Sequence, residues 1–122
     1  MAKDDNDDLF SAKRMAELGA QRALDHAEAV IPSWGDQALS FFQRYAQNNP
    51  AFLTEDVRVW AHQNGLDLPP EPRAWGQIPK MAVKLGIVIA DGYAATQHKP
   101  AHSKAMRLWR SLVFTPGIRA TT

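Results

Sequence analysis

The chain has 122 residues, 45% of them hydrophobic and 22% charged, with no cysteine and a formal net charge of +1. That length suits one small domain with an appended element, and the lack of cysteine excludes disulfides, thiolate catalysis and Cys-based zinc sites. No stretch approaches the ~18 apolar residues of a membrane span, and the opening MAKDDNDDLF lacks the apolar run of a signal peptide, so a soluble, cytoplasmic protein is expected.

Residues 1–8 hold four aspartates and read as a disordered acidic N-terminus, with Asp7 or Asp8 available to cap the helix that follows. From Leu9 to about Ile31, within an N-terminal unit of residues 9–34, the chain reads as one helix. Leu9, Ala12, Ala16, Ala20, Ala23, Ala27 and Val30 recur every three or four residues as an alanine seam that permits close helix approach. The seam either packs on the rest of the domain or forms a homodimer contact. Pro32 ends it. A second helix is expected over Asp36–Asn48, with Ala38, Phe41, Phe42, Tyr45 and Ala46 on its apolar face and Asn48-Asn49-Pro50 as its stop. A third begins at Thr54 as N-cap, with Glu55 and Asp56 in the first turn, Val57, Trp60 and Ala61 facing inward, and Gly65 closing it. Leu66–Pro72 carries three prolines and reads as a stiff, extended linker.

The fourth helix is expected over Ala74–Leu85. Trp75, Ile78, Ala82 and Leu85 share an apolar face; Arg73, Gln77, Lys80 and Lys84 form a polar row at spacings of four, three and four. Pro79 is anomalous within it, because proline there removes a backbone bond; the alternative is a regular helix that begins near Ile78 after a looser turn. Beyond Gly86, Ile87–Ile89 reads as a strand, Asp91-Gly92 as a turn or bulge, and Tyr93 as the strand resumed. Gln97–Lys104, with His98, Lys99, His102 and Lys104, reads as a basic loop. Met106–Leu112 alternates as a returning strand, completing a β-hairpin, and residues 115–122 read as a loose tail. The fold class expected is α+β, mostly α: a winged helix-turn-helix over residues 35–114 with an extra N-terminal helix and a C-terminal hairpin wing.

Charge is sorted along the chain. Residues 1–72 carry six Lys/Arg against twelve Asp/Glu, a net of −6, whereas residues 73–122 carry eight against the single acid Asp91, a net of +7. A basic half with interleaved aromatics is the footprint of a polyanion binder, and the acidic half would orient it. Helix, helix, helix, strand, basic loop, strand suits a helix laid in the major groove of double-stranded DNA beside a wing on the backbone. The residues expected to touch DNA are Arg73, Gln77, Lys80 and Lys84 in the groove and Lys99 and Lys104 at the wing, flanked by Arg107 and Arg110. Arg and Gln offer paired bonds to guanine and adenine, while lysines neutralise phosphates.

Asp56–Ala61 (DVRVWA), Pro72–Gly76 (PRAWG) and Ala82–Val88 (AVKLGIV), with Gly92-Tyr93 and Leu108–Arg110, resemble small winged-helix proteins of phages and prophages. The resemblance covers about residues 35–112 and implies a winged-helix fold with DNA binding in gene regulation or as a replication accessory. No His-Glu-x-x-His, phosphate-binding glycine loop or Gly-x-Ser-x-Gly is present, and no cofactor, metal site or catalytic residue is expected. His98 and His102 are read as wing residues, and His26 and His62 as surface residues. The alternative to DNA binding is a protein-interaction module on the same scaffold, docking through the seam or the basic face to bind or inhibit a partner protein.

Overall fold

The computed structural model describes residues 2–96 and 105–116, the first nine of these as backbone only. Among them, helix α1 spans Ala2–Val30, α2 Trp34–Asn48, α3 Thr54–Gln63 and α4 Ile78–Lys84. Strand β1 spans Ala51–Leu53, β2 Val88–Ala95 and β3 Ala105–Ser111. The class is α+β and mostly helical. The sheet is antiparallel in the order β1-β3-β2.

α1 starts at Ala2, not Leu9, so the expected disordered N-terminus is helical; aspartates near a helix start are stabilised by its dipole. The alanine seam divides. Ala23 and Ala27 are buried in the domain, whereas Ala12 and Ala16 are exposed, and Val30 is 58% exposed rather than part of the seam. α2 begins at Trp34, whose fully buried indole meets Trp75 edge-on at 5.5 Å and donates from Nε1 to the Asp67 carbonyl at 2.9 Å. That bond ties the proline-rich linker to the core. Phe42 is fully buried against Phe52 at 5.4 Å, and Tyr45 joins the same cluster at 5.2 Å from Phe52.

Thr54 is the first residue of α3 and not its cap. The Asp56 carboxylate accepts the Leu53 N–H at 2.9 Å instead, which frees the Thr54 hydroxyl to accept from Trp109 Nε1 at 3.0 Å. β1 was not expected from sequence. It lies beside β3 in the register Phe52 to Trp109 and Leu53 to Leu108. α3 and α4 are followed by glycines with φ of 105° (Gly65) and 75° (Gly86), a left-handed turn that other residues adopt at a cost.

The expected helix over Ala74–Leu85 is two pieces: a 3-10 segment, Pro72–Gln77, and then the seven-residue α4. Pro79 accounts for the break. In the first turn of α4 its missing N–H costs nothing, whereas inside a longer helix it would forfeit a bond. Trp75, Ile78 and Ala82 are buried as expected; Leu85 is past the helix end and 65% exposed. In the hairpin the register slips by one residue between Ala90 and Tyr93, so Asp91-Gly92 forms a β-bulge. Thr115, expected to be loose, donates its N–H to the Gln47 carbonyl at 3.2 Å.

Candidate nucleic-acid interface

The polar row Arg73, Gln77, Lys80 and Lys84 does not present one free face. α1 lies along the 3-10 segment so closely that a Cβ on Gly76 would stand 3.0 Å from the Cβ of Ala20. Arg73 reaches the α1 backbone, where a Cβ on Gly19 would come within 3.2 Å of its Nη1. Gln77 Nε2 donates to the Glu17 carbonyl at 3.3 Å, and Lys80 Nζ lies 3.3 Å from the Glu17 carboxylate. The last pair is about half exposed on both sides, so it contributes at most ~1 kcal/mol. Three of the four positions expected to face a groove are therefore turned along α1. Lys84, at the end of α4, is exposed.

Of the wing residues, Lys99 and Lys104, with His98 and His102, lie outside the described residues. Arg107 is exposed and stacks over the Tyr93 ring at 4.6 Å from its centroid; Tyr93 is its cross-strand partner. Arg110 is exposed and 3.9 Å from the Asp91 carboxylate. Trp109, on the same strand, faces the core through its bond to Thr54.

A cleft of about 480 Å³ opens between the start of α3, the 3-10 segment with α4, and β3. Leu53, Trp75, Pro79, Met106 and Trp109 supply apolar lining. Arg58, Lys80 and Arg107, from three different elements, bring three cations to it, against the single acid Glu55. Arg58 Nε and Glu55 Oε2 are both shut off from solvent, with no hydrogen-bond partner among the described residues. A buried group left so costs about 1–3 kcal/mol. Glu55 was read only as a first-turn acid of the third helix, and Arg58 was not singled out because it sits in the acidic half of the chain; the fold brings both to the cleft that Arg107 lines.

His62, read as a surface residue, is half-buried and holds the 3-10 segment in place. Its Nδ1 lies 2.9 Å from the Leu66 carbonyl, and Trp75 Nε1 donates to its Nε2 at 3.1 Å. Those partners require the neutral tautomer with the proton on Nδ1. His26 is exposed, as expected, 3.8 Å from Glu71.

Among the described residues no group of three His, Cys, Asp or Glu side chains is placed to hold a metal ion, and no helix is long and apolar enough to cross a membrane. Comparison of the chain with protein families, with curated proteins and with solved structures finds no match.

Proposed function

We propose that the chain is a non-catalytic binder of double-stranded DNA on a winged-helix layout, holding the duplex mainly through its phosphates. The observation that carries this reading is the convergence of Arg58, Lys80 and Arg107 beside the hairpin, with Lys84 and Arg110 exposed nearby in sequence. The sheet order β1-β3-β2, with the hairpin after the short fourth helix, supports the winged-helix layout. Phosphate contacts supply affinity without sequence choice. A fourth helix of only seven residues, preceded by a 3-10 segment that α1 covers, favours backbone contact by Lys80, Lys84, Arg107 and Arg110, with Lys99 and Lys104 expected from the sequence to join them, over groove reading by Arg73 and Gln77. The phage or prophage setting, in gene control or replication, rests on the sequence resemblance alone.

Fluorescence anisotropy with a random duplex and a random single strand of equal length, at low and physiological salt, tests the reading. Salt-sensitive binding that prefers the duplex is expected; no binding to the duplex at low salt rejects it.

The second reading, a protein-interaction module, is favoured by α1 lying along the row that would enter a groove. Unrelated duplex would then fail to compete with the partner protein. Among the described side chains of the seam, Ala12, Ala16 and Val30 are exposed and available to the homodimer contact expected of α1, whereas Ala23 and Ala27 are buried in the domain. Sedimentation at tens of micromolar tests it, and a monomer there would remove the dimer.

A further inference from the structure

The cleft between α3, α4 and β3 has a chemistry that duplex phosphates alone do not use. We infer that it is a mononucleotide site, seating one unpaired base with its 5′-phosphate. This does not depend on the duplex reading, since a free nucleotide would fill it equally. The volume of about 480 Å³ exceeds what a single amino-acid side chain fills and lies in the range of small-molecule sites. Its apolar lining includes Trp109, Met106 and Pro79, which suit the faces of a base. Lys80 and Arg107 line the same cleft from α4 and β3 and supply the charge for a phosphate. Arg58 and Glu55 stand one helical turn apart on α3, each with a buried polar atom that lacks a partner among the described residues. One is a donor and the other an acceptor. A base carries donors next to acceptors on its pairing edge, so rotation of these two side chains toward a bound base satisfies both. A leucine-type anchor from a peptide would fill the apolar part and leave that pair unmet.

The test follows the indole N–H resonances of the protein by NMR, with the Trp109 signal assigned by its loss in Trp109→Phe. AMP is the probe, with adenosine, inorganic phosphate, a single-stranded adenine trinucleotide and an acidic leucine-containing peptide as comparisons. AMP is expected to shift Trp109 saturably at millimolar concentration or below, with adenosine and phosphate each at least about tenfold weaker. Arg58→Gln is expected to weaken AMP about tenfold, the loss of one charged hydrogen bond. Met106→Trp, which fills the cleft and leaves every cation in place, is expected to abolish AMP binding while retaining the native spectrum and any duplex binding. Tighter binding of the trinucleotide than of AMP assigns the site to an unpaired residue of a strand; the reverse order assigns it to free nucleotide. Inorganic phosphate shifting Trp109 as well as AMP does would overturn the inference in favour of a plain anion site. Saturation by the peptide alone would overturn it in favour of a protein-docking cleft. No saturable shift at millimolar AMP overturns it outright, and with duplex binding intact the proposed function still stands.

Discussion

The packing of α1 on the 3-10 segment decides which cations are free, and one of its contacts, between Gly76 and Ala20, can be changed by a single carbon. Gly76→Ala places a Cβ 3.0 Å from the Cβ of Ala20. Neither atom is the end of a flexible side chain, so relief requires the helix or the 3-10 segment to shift. Overpacking of this kind costs about 1–3 kcal/mol. The φ of Gly76 is not positive, so alanine fits the backbone and gains about 0.4–1 kcal/mol by restricting the unfolded chain. The expected net loss is therefore about 1 kcal/mol, or a fall in Tm of about 4 °C for a domain of this size. Ala20→Gly alone should also destabilise, by about 1 kcal/mol of helix propensity. Together the two should cost clearly less than their sum, because the removed methyl makes room for the added one. Urea unfolding of all four proteins, followed by tryptophan fluorescence and circular dichroism, measures the coupling. A coupling of about 1 kcal/mol is expected; additivity within about 0.5 kcal/mol would refute the contact.

Phe42→Ala empties a fully buried part of the core and should cost about 3–5 kcal/mol, a large fraction of the stability of a domain this small, seen as loss of cooperative thermal unfolding. Trp109→Phe removes the bond to Thr54 and leaves its hydroxyl without that donor; chemical denaturation should show a loss of about 1–2 kcal/mol, and a change under about 0.3 kcal/mol would show the bond to be idle. Burial, and behind it the charge of Asp56, raises the ionisation of Tyr45 above its ordinary value of 10.0. The folded chain then holds that proton more tightly than the unfolded chain. The corresponding stability is complete below pH 10 and is lost as pH climbs through 10 toward the raised folded value. Denaturation at pH 9 to 11 should show a shallower alkaline decline in Tyr45→Phe than in the parent, and parallel declines would contradict the burial argument.

What the sequence made legible was local. The apolar face of α2, the positive-φ stops at Gly65 and Gly86, the bulge at Asp91-Gly92 and the break at Pro79 each depend on residues within a few positions of one another. β1 was invisible because three residues cannot show an alternation, and it exists only by pairing with Leu108–Arg110 far along the chain. The polar row was read as a free face because helical spacing says nothing about a helix sixty residues earlier. Glu17 meets Gln77 and Lys80 across that separation. Arg58 and Glu55 reach the cleft for the same reason: tertiary packing, not pattern, carries α3 next to β3. His62 was misread because its partners, Leu66 and Trp75, are set by how the proline-rich linker turns back.

The central claim is that Lys84 and the hairpin cations, and not Arg73 and Gln77 beside α1, hold DNA phosphates. The salt dependence of duplex affinity tests it most directly. Each phosphate contact contributes about −0.9 to the slope of log affinity against log salt, so Lys84→Ala with Arg107→Ala should flatten that slope by about 1.8. Arg73→Ala with Gln77→Ala should leave it nearly unchanged. A slope untouched by the first pair and flattened by the second would contradict the account.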